Sequence, residues 1–237
     1  MKIQKDILPE NIYLKILNIY NYLKDGYSTK SYSQGGEDLI LLHALGTEKK
    51  GFYVDVGAFH PQRFSNTFLF YKHGWRGINI DARRGSMDSF NRLRPKDINL
   101  EIPVSDKKEE LMFYTFNEPA ISGFLEDLSL ERAKNDGYRI IKAEKMQTRT
   151  LEEILDIYVS EDTEITFLSV DVEGLDYNVL KSNNWEKYSP KIVLVEELNY
   201  LIADVLSSPI GLLMAEKGYV LFAKTLYTTF YKRIENN

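Results

Sequence analysis

Six acids and one histidine stand where they could do chemistry together: Asp55, Asp81, Asp171, Glu173, Glu196 and Glu197, with His60 close behind the first. Four of the acids close short apolar runs. Phe52-Tyr53-Val54 leads into Asp55, Ile78-Asn79-Ile80 into Asp81, Ile165 to Val170 into Asp171, and Ile192 to Val195 into Glu196. Runs of this kind, with little polar alternation, read as strands buried on both faces. If the strands are parallel, their acids share one rim of the sheet, and in an open α/β sheet the ligand sits at that rim. A rim of carboxylates can accept hydrogen bonds from hydroxyls, attract positive charge, remove a proton, or hold a hard cation through oxygen.

The elements that must position these residues alternate. Residues 9–24 carry Ile12, Ile16, Ile19 and Leu23 on one helical stripe, an apolar face that needs a cover, either the rest of the fold or a second copy of the chain as a homodimer. We take residues 1–30 as an N-terminal helical segment and 31–237 as the main domain. Ser33 fits the N-cap of a helix through Leu45, with Glu37 and Asp38 in its first turn. The Asp55 strand is followed by Gly57-Ala58, a loop, a helix over 65–73, and then the Asp81 strand. A helix over 86–93 and a short strand over 99–106 follow. Residues 107–148 fit the alternation least well and read as an insertion that shapes a substrate pocket. Thr150-Leu151-Glu152-Glu153 is a capping box opening a helix to Tyr158. Strands ending at Asp171 and Glu196 come next, then a helix begun by Ser208-Pro209. Tyr219–Ala223 and Tyr227–Tyr231 are three residues apart, too close for a parallel crossover, so they pair antiparallel. The fold class expected is α/β: a Rossmann-like, mostly parallel sheet with an antiparallel C-terminal strand and helices on both faces.

Composition narrows the chemistry. The 237 residues include no cysteine, which removes disulfides, thiol nucleophiles and thiolate metal sites and suits a reducing cytoplasm. A net charge of -5 gives no reason to expect a nucleic-acid partner. No apolar run is long enough for a membrane span, and the N-terminus lacks the pattern of a signal peptide.

The rim also constrains the ligand. Asp81 lies 24 positions after Gly57, at the end of the second strand, where a Rossmann-like sheet places the acid that binds a ribose diol. The turn lacks the second and third glycines that let a backbone approach a pyrophosphate: Ala58, Phe59, His60, Pro61 and Gln62 follow Gly57. A ligand with a ribose, an adenine and positive charge but no phosphate meets these conditions, and S-adenosylmethionine is such a ligand. A nicotinamide-dependent oxidoreductase would want the complete glycine fingerprint and a substrate domain. A non-catalytic module binding a nucleotide or S-adenosylmethionine is the other alternative.

Several motifs in order carry a resemblance. Ser33-Gln34 with Gly36-Glu37-Asp38, Tyr53-Val54-Asp55-Val56-Gly57-Ala58 with Pro61, Ser65-Asn66-Thr67, Gly74-Trp75 with Gly77, and Asp171-Val172-Glu173-Gly174 resemble the FkbM-type methyltransferases, a Rossmann-like branch of the class I S-adenosylmethionine-dependent enzymes. The resemblance implies that Asp55, Gly57 and Ala58 lie against the methionine part of the cofactor and that Asp81 holds the ribose. It further implies that Ser105 and Asp106 lie near the adenine, that Gln34 and Glu37 close over the cofactor, and that Asp171 borders it. It implies O-methylation of a hydroxyl on a sugar, a glycan or a secondary metabolite. A sugar hydroxyl is a weak acid, so transfer needs a base, for which His60, Asp171 and Glu173 are the candidates. Alternatively Asp171 with Glu196 or Glu197 could bind one Mg²⁺ and lower the pKa of an acceptor diol. The metal-free route is the one expected here.

Overall fold

The computed structural model describes residues 9–46, 50–198 and 200–234. The start of the expected N-terminal segment, residues 1–8, and the last three residues of the expected domain lie outside that range. The chain divides into two units, 1–31 and 32–237. The first holds helix α1, Glu10–Leu23, with Glu10 in its first turn, where an acid suits the helix dipole.

The second unit runs α2 (Glu37–Leu45), β1 (Phe52–Val56), α3 (Phe68–Lys72), β2 (Arg76–Asp81), α4 (Met87–Leu93), β3 (Ile98–Glu101), β4 (Glu110–Phe116), α5 (Glu126–Arg132), β5 (Ile140–Gln147), α6 (Leu151–Tyr158), β6 (Ile165–Val170), α7 (Asp176–Lys181), β7 (Ile192–Glu196), α8 (Ile202–Val205), α9 (Pro209–Glu216), β8 (Tyr219–Lys224) and β9 (Thr228–Arg233). Seven strands form one sheet in the order β3-β2-β1-β6-β7-β9-β8. Pairing is parallel from β3 through β7, and β9 is antiparallel to both β7 and β8. β4 and β5 form a separate antiparallel ribbon within the insertion. The sheet is therefore the expected one, mostly parallel with an antiparallel C-terminal pair.

Alternation along β1 explains why its residues are apolar on both sides. Val54 and Val56 join Ile80, Leu168 and Val193 against α6, α7 and α9. Tyr53 points the other way and joins Phe167, Leu194 and Phe230 against α2 and α3. Burying each such large side chain contributes roughly 1.5–3 kcal/mol. Thr150 caps α6 by accepting the Glu153 N–H at 3.2 Å, and Ser208 caps α9 by accepting the Gly211 N–H at 2.9 Å, as their sequence signatures require.

Three elements differ from expectation. α2 starts after Gly36 (φ 89°), not after Ser33. The cause is Asp38, which reaches back to accept the Tyr32 N–H at 2.8 Å and the Ser33 hydroxyl at 2.9 Å and so holds 32–36 as a loop. α3 begins only at Phe68, because Ser65 Oγ accepts the Phe68 N–H and the Thr67 hydroxyl is turned to Asp55. β3 stops at Glu101, so Val104 to Asp106 form a loop.

Beneath β1 lies a buried polar network. Arg94 is fully buried, donating to Asp97 at 2.8 Å, the Tyr53 hydroxyl at 2.8 Å and Thr67 Oγ1 at 3.0 Å. Thr67 in turn donates to Asp55 at 3.0 Å. Removing the guanidinium leaves Asp97 buried without its cation. Arg94→Met should therefore cost about 3–5 kcal/mol in chemical denaturation. Arg94→Lys should recover little of it, because an ammonium cannot reproduce the fork. A loss below about 1 kcal/mol in Arg94→Met would show that the network is not needed for stability.

Candidate active site

β1 has β2 on one side and β6 on the other, so the chain order reverses between β1 and β6. Ligands of open α/β sheets bind at the carboxyl ends of the strands at this switch point. Two adjoining chambers lie there, both bordered by Gly57, Phe59, Ala120, Asp171 and Glu173. The first encloses about 560 Å³, part of it open to solvent. Its walls are Ile80 and Asp81 of β2, Ile102 and Val104 of the following loop, and Phe113 and Phe124 of the insertion. The ribbon is tied to this wall by Tyr114 and Gly123, which exchange backbone hydrogen bonds at 2.9 and 3.2 Å. The second, about 810 Å³ of space that is likewise partly open to solvent, is bordered by Gln34, Phe64, Arg132, Glu196 and Tyr227 in addition to the shared residues.

Asp81 is fixed on the floor of the first chamber. One carboxylate oxygen accepts the Phe59 N–H at 3.0 Å and the other accepts the Arg83 N–H at 2.8 Å. Burial raises its pKa, while these backbone bonds and Arg83 oppose the rise. Ser86 also acts on the carboxylate, and the side of it that borders the chamber can accept a hydroxyl donor.

The amides of the turn after β1 are already used. Gly57 and Ala58 both donate to the Ile80 carbonyl, at 2.9 and 3.0 Å, Phe59 donates to Asp81, and His60 donates to the Ala58 carbonyl at 2.6 Å. No row of free N–H groups is left to cradle a phosphate, and α3 starts eleven residues past Gly57.

The ends of β6 and β7 bring Asp171, Glu173 and Glu196 together, with one oxygen of each within 4.8 Å of the others. Asp176 anchors the turn, accepting the N–H groups of Val172 at 3.1 Å and Gly174 at 3.1 Å. Between those amides Glu173 is held at φ 56°. Arg132 of α5 pairs with Glu173 at 2.5 Å and donates to the Ile121 carbonyl at 2.9 Å. Glu196 is pushed up to about 8, first by burial, then by Glu173 and Asp176, with Arg132 opposing. Asp171 lies at the cleft mouth, open to solvent, where it borders both chambers. Desolvation by the protein around it, then Glu196 and Glu173, raises its pKa well above the usual carboxylate range.

The site residues expected from sequence separate into two groups. Gln34, Gly57, Asp81, Asp171, Glu173 and Glu196 border the chambers. Others do not. His60 uses Nδ1 to accept the N–H groups of Gln62 and Arg63, at 3.1 and 2.9 Å, so its other ring nitrogen carries the proton and it has no free lone pair for a base. Burial with Arg63 and Arg83 lowers its pKa further. Glu197 is buried, accepting from Ser208 and Tyr231 at 2.7 Å each, so it is not a third ligand for a cation; Glu173 takes that place in the cluster. Glu37 accepts from Gly35 and from Thr225 and braces the loop instead of lining the cleft. Ser105 and Asp106 directly follow Val104 of the wall without lining it themselves. Ser105 is buried, and Asp106 faces Lys181 at 3.4 Å. Asp55 lies under the turn in the Arg94 network, and Ala58 packs on Met87 and Phe90. Sequence reasoning missed Phe59, Phe64, Arg132 and Tyr227, because no motif marks them.

With this geometry in place, comparison with known proteins is informative. Residues 55–221 match the methyltransferase FkbM domain. The chain belongs to the FkbM methyltransferase family, and the sheet and cleft described above are those of a methyltransferase. No curated relative matches the sequence significantly. Among solved structures, a TehB-like S-adenosylmethionine-dependent methyltransferase from Corynebacterium glutamicum is similar at 11% identity and a TM-score of 0.42, covering 95% of this chain and 97% of that one. A Pyrococcus horikoshii protein described as a candidate RNA methyltransferase is similar at 11% identity and a TM-score of 0.43, covering 84% of each chain. Among the described residues, no helix is long and apolar enough to cross a membrane.

The acid cluster makes stability depend on pH. Glu196 keeps its proton in the folded chain, up to about pH 8, where the unfolded chain has lost it. The folded state then binds more protons, so stability falls as pH rises through this window. The Tm of ligand-free protein should drop between about pH 5 and pH 8, and Glu196→Gln should flatten that slope. A Tm that rises over the same window would contradict the raised pKa.

Proposed function

We infer that the protein transfers a methyl group from S-adenosylmethionine to a hydroxyl oxygen of a saccharide. The observation that carries this reading is the pairing of Asp81, at the ribose position, with a carboxylate cluster on the far side of the same cleft, and with no phosphate cradle between them. The residues fit this cofactor. Asp81 would accept the ribose hydroxyls, and Ile102, Val104 and Phe113 offer an apolar slot for the adenine. Gly57 and the acids beside it suit a positively charged methionine end. A dinucleotide is disfavoured because the turn amides are already bonded.

When bound, the cofactor supplies a methyl on a cationic sulfur, a leaving group already activated. The protein has to align the acceptor oxygen, which is worth about 7–11 kcal/mol in favourable cases, and to take its proton. With His60 committed to its own loop, the base falls to the carboxylates. Asp171 borders both chambers, and its raised pKa makes its ionised form a better base than an ordinary carboxylate. Glu196 lies beside it to accept a neighbouring hydroxyl. Glu173 is held by Arg132, which supplies positive charge inside the cluster and favours the route without Mg²⁺.

Two measurements test this. Asp81→Ala should weaken S-adenosylmethionine binding by about 1–3 kcal/mol in calorimetry, while NAD does not bind to either protein. Asp171→Asn should bind the cofactor and lose turnover by about 10²–10⁴-fold, scored by mass spectrometry of nucleotide sugars and glycans for the gain of one methyl. The wild-type kcat/KM should rise with pH along a limb above the usual carboxylate pKa of about 4, and EDTA should leave it unchanged. Activity lost in EDTA and restored by Mg²⁺ would replace the base with a metal held by Asp171, Glu173 and Glu196.

A further inference from the structure

The loop from Gly57 to Thr67 carries an unusual strain. Four described residues other than glycine have positive φ, namely Asp25, Phe59, Phe64 and Glu173. Three of these border the second chamber. Phe59 has φ 51° and Phe64 has φ 54°, a left-handed backbone that bulky residues avoid unless their surroundings impose it. Here the surroundings do so. The Phe59 N–H is bound to Asp81, His60 Nδ1 gathers the N–H groups of Gln62 and Arg63, and the Ser65 N–H donates to the Tyr32 carbonyl at 3.0 Å.

The outcome is a paired aromatic surface. The two rings lie 6.3 Å apart, centre to centre, at an interplanar angle of 21°. Arg63, which does not border the chamber, backs both, its guanidinium carbon 4.6 Å from the Phe64 ring centre and 5.6 Å from that of Phe59. Phe64 remains 42% exposed. The same chamber presents Asp171, Glu196 and Gln34.

We propose that Phe59 and Phe64 are a stacking platform for one face of a pyranose ring of the acceptor, with the ring's hydroxyls turned to Asp171 and Glu196. A sugar ring has an apolar C–H face, which suits the negative face of an aromatic ring, and a rim of hydroxyl donors, which suits carboxylates. A flat hydrocarbon would leave the acids unmatched, and an open-chain polyol would leave the platform unused. The inference rests on the saccharide reading above and adds to it a ring requirement and two specificity-determining residues.

The test uses the full chain with S-adenosylmethionine. The acceptors are the methyl pyranosides of glucose, galactose, mannose and rhamnose, the matching alditols, and simple phenols, with methyl gain read by mass spectrometry. Pyranosides should be methylated and alditols not. Phe64→Leu should raise the pyranoside KM roughly tenfold, with kcat and cofactor affinity unchanged, and Phe64→Tyr should keep the wild-type KM. Unchanged cofactor affinity also shows that the variants are folded. A wild-type KM in Phe64→Leu, or alditols accepted as well as pyranosides, overturns the platform and leaves the saccharide reading standing. Methylation of phenols and of no sugar overturns the saccharide reading, and the platform with it.

Discussion

The cleft depends on how closely β1 and β6 end. A side-chain carbon at position 57 would lie 1.6 Å from the Asp171 carbonyl oxygen, so only a residue without one can pass there, and Gly57 does so with φ 86°. This contact brings the turn after β1 and the acid after β6 to a common point. It also sends the turn toward β2, where its amides find the Ile80 carbonyl and Asp81. Asp81, the aromatic loop and the acid cluster are neighbours because two backbones meet at one glycine.

The second organising feature is electrostatic. Asp171, Glu173 and Glu196 crowd one end of the cleft, and Asp176 sits behind them. Only Arg132 opposes them among the groups that shift Glu196. The crowding shows as raised pKa values, with burial the largest cause at each site. Such a cluster favours ligands that bring positive charge or hydroxyl hydrogens. That Arg132 comes from α5 matters: the insertion, not the sheet, adjusts the charge where the acceptor would lie.

Much of this was legible in the sequence. The runs ending at Asp55, Asp81, Asp171 and Glu196 marked strands buried on both faces, and the short gap before the last strand required an antiparallel pair. What could not be read was the direction of each side chain. Asp55 and Asp81 both end apolar runs, and strand alternation puts them on the same face of the sheet, but Asp55 pairs with Asn79 inside the ladder and meets Thr67 and the Arg94 network, whereas Asp81, two positions further along at the end of β2, reaches the cleft. Glu196 and Glu197 are adjacent, and the same alternation puts one in the chamber and the other under Tyr231. His60 looked like a base because of its position, but its fate was decided by amides two and three residues ahead. Arg132 could not be found at all, since it reaches Glu173 across 41 positions of chain from a helix in the least regular segment.

The pairing of β1 has a consequence for how the molecule acquires its site. β2 follows β1 closely, whereas β6 joins it from more than a hundred residues away. Closing the longer loop costs more chain entropy, so topology orders the events, with β1–β2 able to form before β6 docks. Asp81 and the Phe59 amide that braces it belong to the early β1–α3–β2 unit. Asp171 and Glu196 arrive only with the late, non-local strands, in a place where ionised carboxylates are unfavourable. During synthesis, the Asp81 end of the cleft emerges from the ribosome well before the acid-cluster end, and the two are brought together only when the C-terminal half has been made.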